Sequence, residues 1–128
     1  MPELSVIVPT YNEAENVERL VHALEATLGD TDWEVLFVDD DSPDGTSERV
    51  LALGLADPRI RCLRRVGRRG LSSACIEGML ASTAPFLAVM DADLQHDESL
   101  LPEMLSALRE GSCDLAVGSR YTGGGSNR

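Results

Sequence analysis

Short apolar runs alternate with segments of helical apolar spacing along this chain, and this alternation constrains the fold more than any other feature. The strand-like runs are Leu4–Val8, Val35–Val38, Ile60–Leu63, Phe86–Met90 and Leu115–Val117. The first helix-like segment begins near Asn12 or Glu13, has apolar positions from Val17 to Leu28 and ends at Gly29. The others are Thr46–Leu53, Leu71–Ala81 and Leu100–Leu108. Strands that alternate with helices predict an α/β fold with a mainly parallel sheet covered on both faces.

The right-handedness of strand–helix–strand connections leaves few strand orders, and 3-2-1-4 is the natural one. In such a sheet a ligand binds beyond the carboxyl ends of the strands, where the order reverses between strands one and four. Three polar segments are expected at that edge: residues 9–13, 39–41 and 91–93. Pro9 is predicted to end the first strand, and Asn12 or Glu13 to cap the first helix.

Two acidic residues, Asp91 and Asp93, follow the fourth strand and flank one small residue. In extended chain their side chains point the same way, so both carboxylates reach one point. Such hard oxygen ligands suit Mg²⁺ or Mn²⁺. Without a cation, carboxylates facing one cleft would repel each other. The pair therefore predicts a divalent metal site; two solvated loop aspartates are the alternative.

Other residues at the same edge have interpretations that the sequence leaves open. Asp39 could accept hydrogen bonds from a base or ribose, whereas Asp41 or Asp44 could cap the following turn and helix. Asp40 could do either. Tyr11 could stack on a base or cover the core edge. Glu13 could reach the nucleotide or only favour the start of a helix. Gly70 could bring backbone N–H groups to a ligand or only begin a helix.

Charge and composition exclude some function classes. The net charge of −11 over 128 residues disfavours nucleic acid as a partner. All 11 basic residues are arginines, and six lie in residues 59–69. Arg59 and Arg61 are expected along a solvated strand edge, whereas Arg68 precedes a helix where an anionic ligand could be met. No apolar run is long enough to cross a bilayer, and the first residues lack a secretory signal, so a cytoplasmic location is expected.

Five blocks together resemble the family-2 glycosyltransferases, and within them the dolichol-phosphate mannose synthase-like (polyprenyl-phosphate glycosyltransferase) branch. The blocks are Val8–Glu13, Val38–Thr46, Gly70–Ala74, Met90–His96 and Gly118–Tyr121. The resemblance implies a GT-A (Rossmann-like) three-layer fold, truncated after about the fifth strand. Residues 1–121 would be its nucleotide-sugar-binding half and residues 122–128 a flexible glycine-rich tail.

The resemblance also implies roles for single residues. The expected nucleotide-sugar contacts are Pro9, Tyr11, Glu13, Asp39, Asp41, Arg68, Gly70 and Ala92. The expected metal ligands are Asp91, Asp93 and Gln95. The expected catalytic residues are Asp91, Asp93 and Arg120, of which Arg120 would meet the lipid phosphate.

The activity implied is inverting transfer of mannose or glucose from a nucleoside-diphosphate sugar, GDP-mannose or UDP-glucose, to a polyprenyl phosphate at a membrane surface. In a longer protein this would place the chain at the cytoplasmic face of the membrane. A phosphate nucleophile is largely dianionic near neutral pH and needs no general base. The family's His-Pro-Pro-Glu is here His96–Ser99 (His-Asp-Glu-Ser). The resemblance implies that the acceptor half of the family follows Arg120, beyond the 128 residues of this chain.

Two other functions are considered. The first is a module that binds nucleotide and metal but transfers nothing. The second, a response-regulator receiver domain, needs a lysine near the fifth strand, and the chain contains no lysine. An open sheet edge after Val117 could also promote a homo-oligomer.

Overall fold

A computed structural model of the chain describes residues 2–29, 31–67, 70–90 and 115–118, together with residues 103, 106 and 110. The elements are β1 (Leu4–Thr10), α1 (Val17–Leu28), β2 (Trp33–Asp39), α2 (Thr46–Ala56), β3 (Ile60–Arg64), α3 (Leu71–Leu80), β4 (Phe86–Met90) and β5 (Leu115–Gly118). The predicted alternation is confirmed. Of the predicted helix Leu100–Leu108, residues 103 and 106 are helical and the rest lies outside the described residues.

The strands form one parallel sheet in the order β3-β2-β1-β4-β5, which confirms the predicted order and places β3 at an edge. β1 pairs with β2 from Leu4 opposite Trp33 to Thr10 opposite Asp39. Its pairing with β4 ends earlier, where Ile7 lies opposite Val89. The carboxyl-terminal part of β1 is therefore paired with β2 alone in the described register, at the place where the strand order reverses.

Helices cover both faces of the sheet because side chains alternate along each strand. One apolar cluster joins α1 and α2 to residues such as Val6, Val35 and Phe37. A second joins α3 to Ile7 and Val38 on the opposite face. α3 lies so close to the sheet that a Cβ on its Gly78 would overlap Ile7 and lie 2.9 Å from Cγ2 of Val38.

Two local predictions were wrong. Pro9 does not end β1, which continues to Thr10, because a strand can include proline where no ladder bond needs its N–H. α1 begins at Val17 with Asn16 as its N-cap residue, and neither Asn12 nor Glu13 caps it. The reason is tertiary, since the backbone N–H groups of residues 12–14 bond to side chains that follow β2.

Candidate functional site

The loops that follow β1 and β2 are joined by three side chains. The backbone N–H groups of residues 12, 13 and 14 donate, in that order, to Ser42 Oγ at 2.8 Å, Thr46 Oγ1 at 3.0 Å and Asp44 Oδ2 at 3.2 Å. We call these three side chains and the N–H groups that they bind the loop clasp. Because the bonds cross between two loops, the clasp fixes the backbone that carries Tyr11 and Glu13.

The two hydroxyl groups of the clasp also donate hydrogen bonds to carboxylates. Ser42 Oγ donates to Asp39 Oδ1 at 2.6 Å, and Thr46 Oγ1 donates to Asp44 Oδ1 at 2.5 Å. Each hydroxyl therefore accepts one bond and donates another. Burial raises the pKa of Asp44, but hydrogen bonds from Thr46 and from the backbone outweigh it, so this pKa lies below its ordinary value.

Asp39 is fully buried beneath the clasp. Its Oδ1 accepts from Thr10 Oγ1 at 2.9 Å as well as from Ser42, and its Oδ2 accepts from the Ser42 N–H at 3.0 Å. The carboxylate thus joins the end of β1 to the loop after β2. Asp39 acts in this structure by holding that loop; the nucleotide contact predicted for it stays a prediction.

Tyr11 and Glu13 lie on the clasped loop. The Tyr11 side chain is 41% exposed, although it is a large aromatic residue. Glu13 is partly buried, and its Oε1 accepts from Asn16 Nδ2 at 2.7 Å. Asn12 between them has φ of 58°, a left-handed conformation that asparagine tolerates better than most residues. Pro9 is partly buried in the stretch of β1 beyond its β4 pairing. A partly exposed tyrosine therefore lies at the predicted binding edge.

Asp41 is the second residue after β2 and also has a left-handed φ, of 56°. It accepts hydrogen bonds from Arg64, at 3.0 Å from Nε and 2.5 Å from Nη2. Both side chains are about half exposed. An exposed ion pair of this kind stabilises a fold little, so Asp41 could exchange Arg64 for a ligand at small cost.

Arg65 is the residue at this edge that sequence reasoning missed. Its guanidinium is fully buried although it lies within the arginine-rich stretch. Nε and Nη2 donate to the two oxygens of Asp40, at 2.6 Å and 3.0 Å. Nη1 donates to Ser73 Oγ and Glu77 Oε2, and Nη2 also donates to the Gly70 carbonyl oxygen. The hydrogen bonds to Asp40, more than those to Glu77, raise the pKa of Arg65 further above its already high value.

Gly70, a predicted ligand contact, is held by Arg65 and Asp40. Its φ of 131° is a conformation that residues with a side chain rarely adopt. Its N–H lies 3.3 Å from Asp40 Oδ2, and its carbonyl oxygen lies 3.1 Å from Arg65 Nη2. The turn into α3 is therefore fixed at both polar groups of one glycine.

The remaining predicted site residues lie outside the described residues: Arg68, Asp91, Ala92, Asp93, Gln95 and Arg120. Among the residues that are described, no three histidine, cysteine, aspartate or glutamate side chains come together as metal ligands. The carboxylates described next to the clasp, those of Asp39 and Asp44, already accept hydrogen bonds from protein donors. No helix in the described part of the chain is long and apolar enough to span a membrane.

Comparison with known proteins identifies relatives that match nearly the whole chain. The chain is 44% identical over 123 residues to a dolichol-phosphate mannosyltransferase of Pyrococcus furiosus, a match that covers 96% of this chain and 34% of that protein. It is 40% identical over 127 residues to a polyprenol monophosphomannose synthase of Mycolicibacterium smegmatis, with 96% and 47% covered. The chain thus spans less than half the length of these relatives.

A solved structure agrees with this result. A mannosyltransferase from Pyrobaculum calidifontis, in complex with GDP-Man and Mn²⁺, superposes with a TM-score of 0.61 at 31% sequence identity, over 72% of this chain and 28% of that one. The expected GT-A fold is confirmed by such neighbours. The model of glycosyl transferase family 2 matches residues 5–128, nearly the whole sequence. The chain therefore belongs to glycosyl transferase family 2.

Proposed function

We propose that this chain is the nucleotide-sugar-binding part of a metal-dependent, inverting glycosyltransferase that moves mannose or glucose to a polyprenyl phosphate. The observation that carries the proposal is the clasped edge beside the end of the β1–β4 pairing, where Tyr11 is exposed. In parallel α/β sheets this is the place where ligands bind. The names of the relatives, and the GDP-Man and Mn²⁺ in the neighbouring structure, support the same chemistry.

For the donor, Tyr11 would stack on the base while the clasp keeps its loop in place. Glu13 and Asp41 would accept hydrogen bonds from the nucleoside, since both present carboxylate oxygens near this edge. Pro9 and Gly70 would bring backbone close to the ligand. Asp39, Arg68 and Ala92 complete the proposed set of nucleotide-sugar contacts.

For the metal, Asp91 and Asp93 with Gln95 would supply hard oxygen ligands for Mg²⁺ or Mn²⁺. The fit follows from the chemistry of the edge. Asp39 and Asp44 are bound by protein donors, so a cation there needs other oxygens, and the acid pair after β4 offers them. The cation, when bound, would neutralise charge that develops on the diphosphate leaving group.

For the acceptor, Arg120 would hold the lipid phosphate through paired hydrogen bonds and orient it towards the sugar. The phosphate would attack without a general base because it is largely dianionic near neutral pH. This reaction would place residues 1–121 at the cytoplasmic face of a membrane, where polyprenyl phosphates lie. Nucleoside-diphosphate sugar and polyprenyl phosphate are the proposed partners.

Calorimetry of the chain with GDP-mannose and with UDP-glucose, each with and without Mn²⁺, tests the donor site. We expect one of them to bind only with the metal, and Asp93→Asn to remove that binding. Asp32→Asn is the matched control, since Asp32 is exposed in the turn before β2, at the amino end of the sheet. No binding by the wild-type chain, or equal binding by Asp93→Asn, would sink the proposal.

A second candidate is a module that binds the sugar donor and transfers nothing. It is considered because this chain covers only 34–47% of the length of its relatives. Transfer of radiolabelled sugar from the bound donor to a polyprenyl phosphate separates the two. Donor binding with labelled lipid supports the transferase. Donor binding with no labelled lipid supports the binding module.

A further inference from the structure

Arg65 is a buried charged residue whose five N–H groups all donate hydrogen bonds within the protein. We propose that Arg65 is a positioning residue, which sets Gly70 and the first turn of α3 against the carboxyl end of β2. The structural part of this inference stands on contacts alone. Its consequence for donor binding rests on the proposed function.

The hydrogen bonds of Arg65 match its chemistry completely. A guanidinium carries five N–H donors in a fixed plane. The five bonds go to Asp40 Oδ1 and Oδ2, Gly70 O, Ser73 Oγ and Glu77 Oε2, all between 2.6 Å and 3.1 Å. A lysine has three donors on one nitrogen and cannot span these acceptors. The site therefore selects the shape of arginine and not only its charge.

The same group connects three elements. Asp40 follows β2, Arg65 follows β3, and Ser73 and Glu77 belong to the first two turns of α3. Two carboxylates share one buried cation, so removing the cation would take a counter-charge from both. The junction is thus a polar centre that holds α3 to the sheet at the binding edge.

Gly70 connects the Arg65 network to the proposed site, since it bonds to Arg65 and Asp40 and is a proposed ligand contact. Both of its backbone polar groups belong to the network, and its φ of 131° is a conformation that residues with a side chain rarely adopt. Asp40 lies between Asp39, which holds the loop clasp, and Asp41 at the exposed edge. A shift of the Arg65–Asp40 pair is therefore transmitted to Gly70 on one side and to the end of β2 on the other.

Three variants test the proposal. Arg65→Met removes the charge, and Arg65→Lys keeps the charge but loses the planar set of donors. Arg61→Lys is the matched control: it makes the same change in β3, where Arg61 is 43% exposed and pairs with Glu34 at 3.0 Å. Each is measured by thermal unfolding, by amide hydrogen exchange of residues 70–77 without ligand, and by calorimetry with the donor nucleotide and Mn²⁺.

We expect Arg65→Met to be strongly destabilised and Arg65→Lys to recover a cooperative fold. In Arg65→Lys the amides of residues 70–77 should exchange faster while those of α1 do not. Its donor Kd should rise about tenfold, which corresponds to about 1.4 kcal/mol. Arg61→Lys should change neither quantity. A purely structural role of Arg65 would not give an Arg65→Lys variant that folds cooperatively but binds the donor nucleotide more weakly.

Unchanged exchange at residues 70–77 in folded Arg65→Lys would overturn the proposal, and so would faster exchange with an unchanged donor Kd. If Arg65→Lys does not fold, Ser73→Ala takes its place, because it removes one acceptor of Nη1 from an exposed position. If the wild-type chain binds no donor, the proposed function fails. The exchange data then decide the positioning of Gly70 independently.

Discussion

Replacing Thr46 with valine tests whether the loop clasp stabilises the fold and prepares the binding edge. Thr46 is fully buried at the start of α2, and valine has nearly the same shape, so the change removes one hydroxyl and little else. That hydroxyl accepts from the Glu13 N–H at 3.0 Å and donates to Asp44 Oδ1 at 2.5 Å. The Thr46 N–H keeps its own bond to Asp44, at 3.0 Å.

The expected loss of stability follows from the two bonds. A buried N–H left without an acceptor costs about 1–3 kcal/mol, and a lost hydrogen bond about 1 kcal/mol. Glu13 is only partly buried, so water can reach its N–H and the lower part of the range applies. We expect Thr46→Val to lower the free energy of unfolding by roughly 2 kcal/mol. For a domain of this size that lowers Tm by about 6–12 °C.

Urea unfolding followed by tryptophan fluorescence gives the free energy, because Trp33 is the one tryptophan and is buried in the core. Calorimetry with donor nucleotide and Mn²⁺ gives the second readout, and we expect a weaker Kd since Tyr11 and Glu13 lie on the released loop. Thr31→Val, in the turn before β2, is the matched control. Thr46→Val with wild-type stability and wild-type Kd would refute the role of the clasp.

Three further perturbations follow from the same structure. Gly78→Ala should destabilise by about 1–3 kcal/mol, because the new methyl group overlaps Ile7 and Val38; an unchanged urea midpoint would contradict the packing of α3. Cys62 should react with iodoacetamide at pH 8 about a hundredfold more slowly in the folded chain than in urea, because burial raises the pKa of its thiol from 9.0 to about 11; equal rates by mass spectrometry would disprove this. Asp44 has a pKa below 3.8, so it stabilises the fold above that pH and the contribution is lost as pH falls through the folded value; Asp44→Asn should flatten the acid limb of a stability–pH curve, and an identical limb would count against the shift.

The sheet could be predicted from the sequence because each of its determinants is local. An apolar run of four or five residues predicts a strand without knowledge of its partners. The order of the strands then follows from the handedness of the connections. β4, for example, has the predicted bounds Phe86–Met90, and β3 lies at the predicted edge.

The loop clasp could not be predicted because its bonds join residues 30 or more positions apart. The sequence Ser42–Gly45 (Ser-Pro-Asp-Gly) is typical of a turn, and Asp44 is one of two candidate caps for it; Asp44 does accept from the Thr46 N–H. Nothing local indicates that the same carboxylate also accepts from Ala14. For the same reason the start of α1 was placed too early. Residues 12–14 find their partners across the sheet edge and not within a helix.

The buried role of Arg65 was missed because the sequence shows it only as one of several neighbouring arginines, whereas the fold buries it and exposes others. Six arginines in residues 59–69 look like one solvated surface. Arg59 fits that picture, since its side chain is partly exposed and lies over the Trp33 ring at 4.3 Å. Arg65 comes one residue after β3 and turns inward to Asp40. A signal was present in Asp40, a carboxylate that follows a buried strand and is favoured there by a cationic partner, but the sequence does not say which arginine supplies it.

The three consecutive aspartates that begin with the last residue of β2 have different roles, because side chains alternate along a strand. Side chains alternate between the two faces of a strand. Asp39 follows Val35 and Phe37, which pack with α1 and α2, and it accordingly holds the clasp on that side. Asp40 follows Leu36 and Val38, which pack with α3, and it binds Arg65 there. Asp41 lies beyond the last paired residue and meets only the exposed Arg64 among the bonds described. The two inner carboxylates are thus bound to the protein framework, and the outermost is the one of the three whose partner a ligand could replace at little cost.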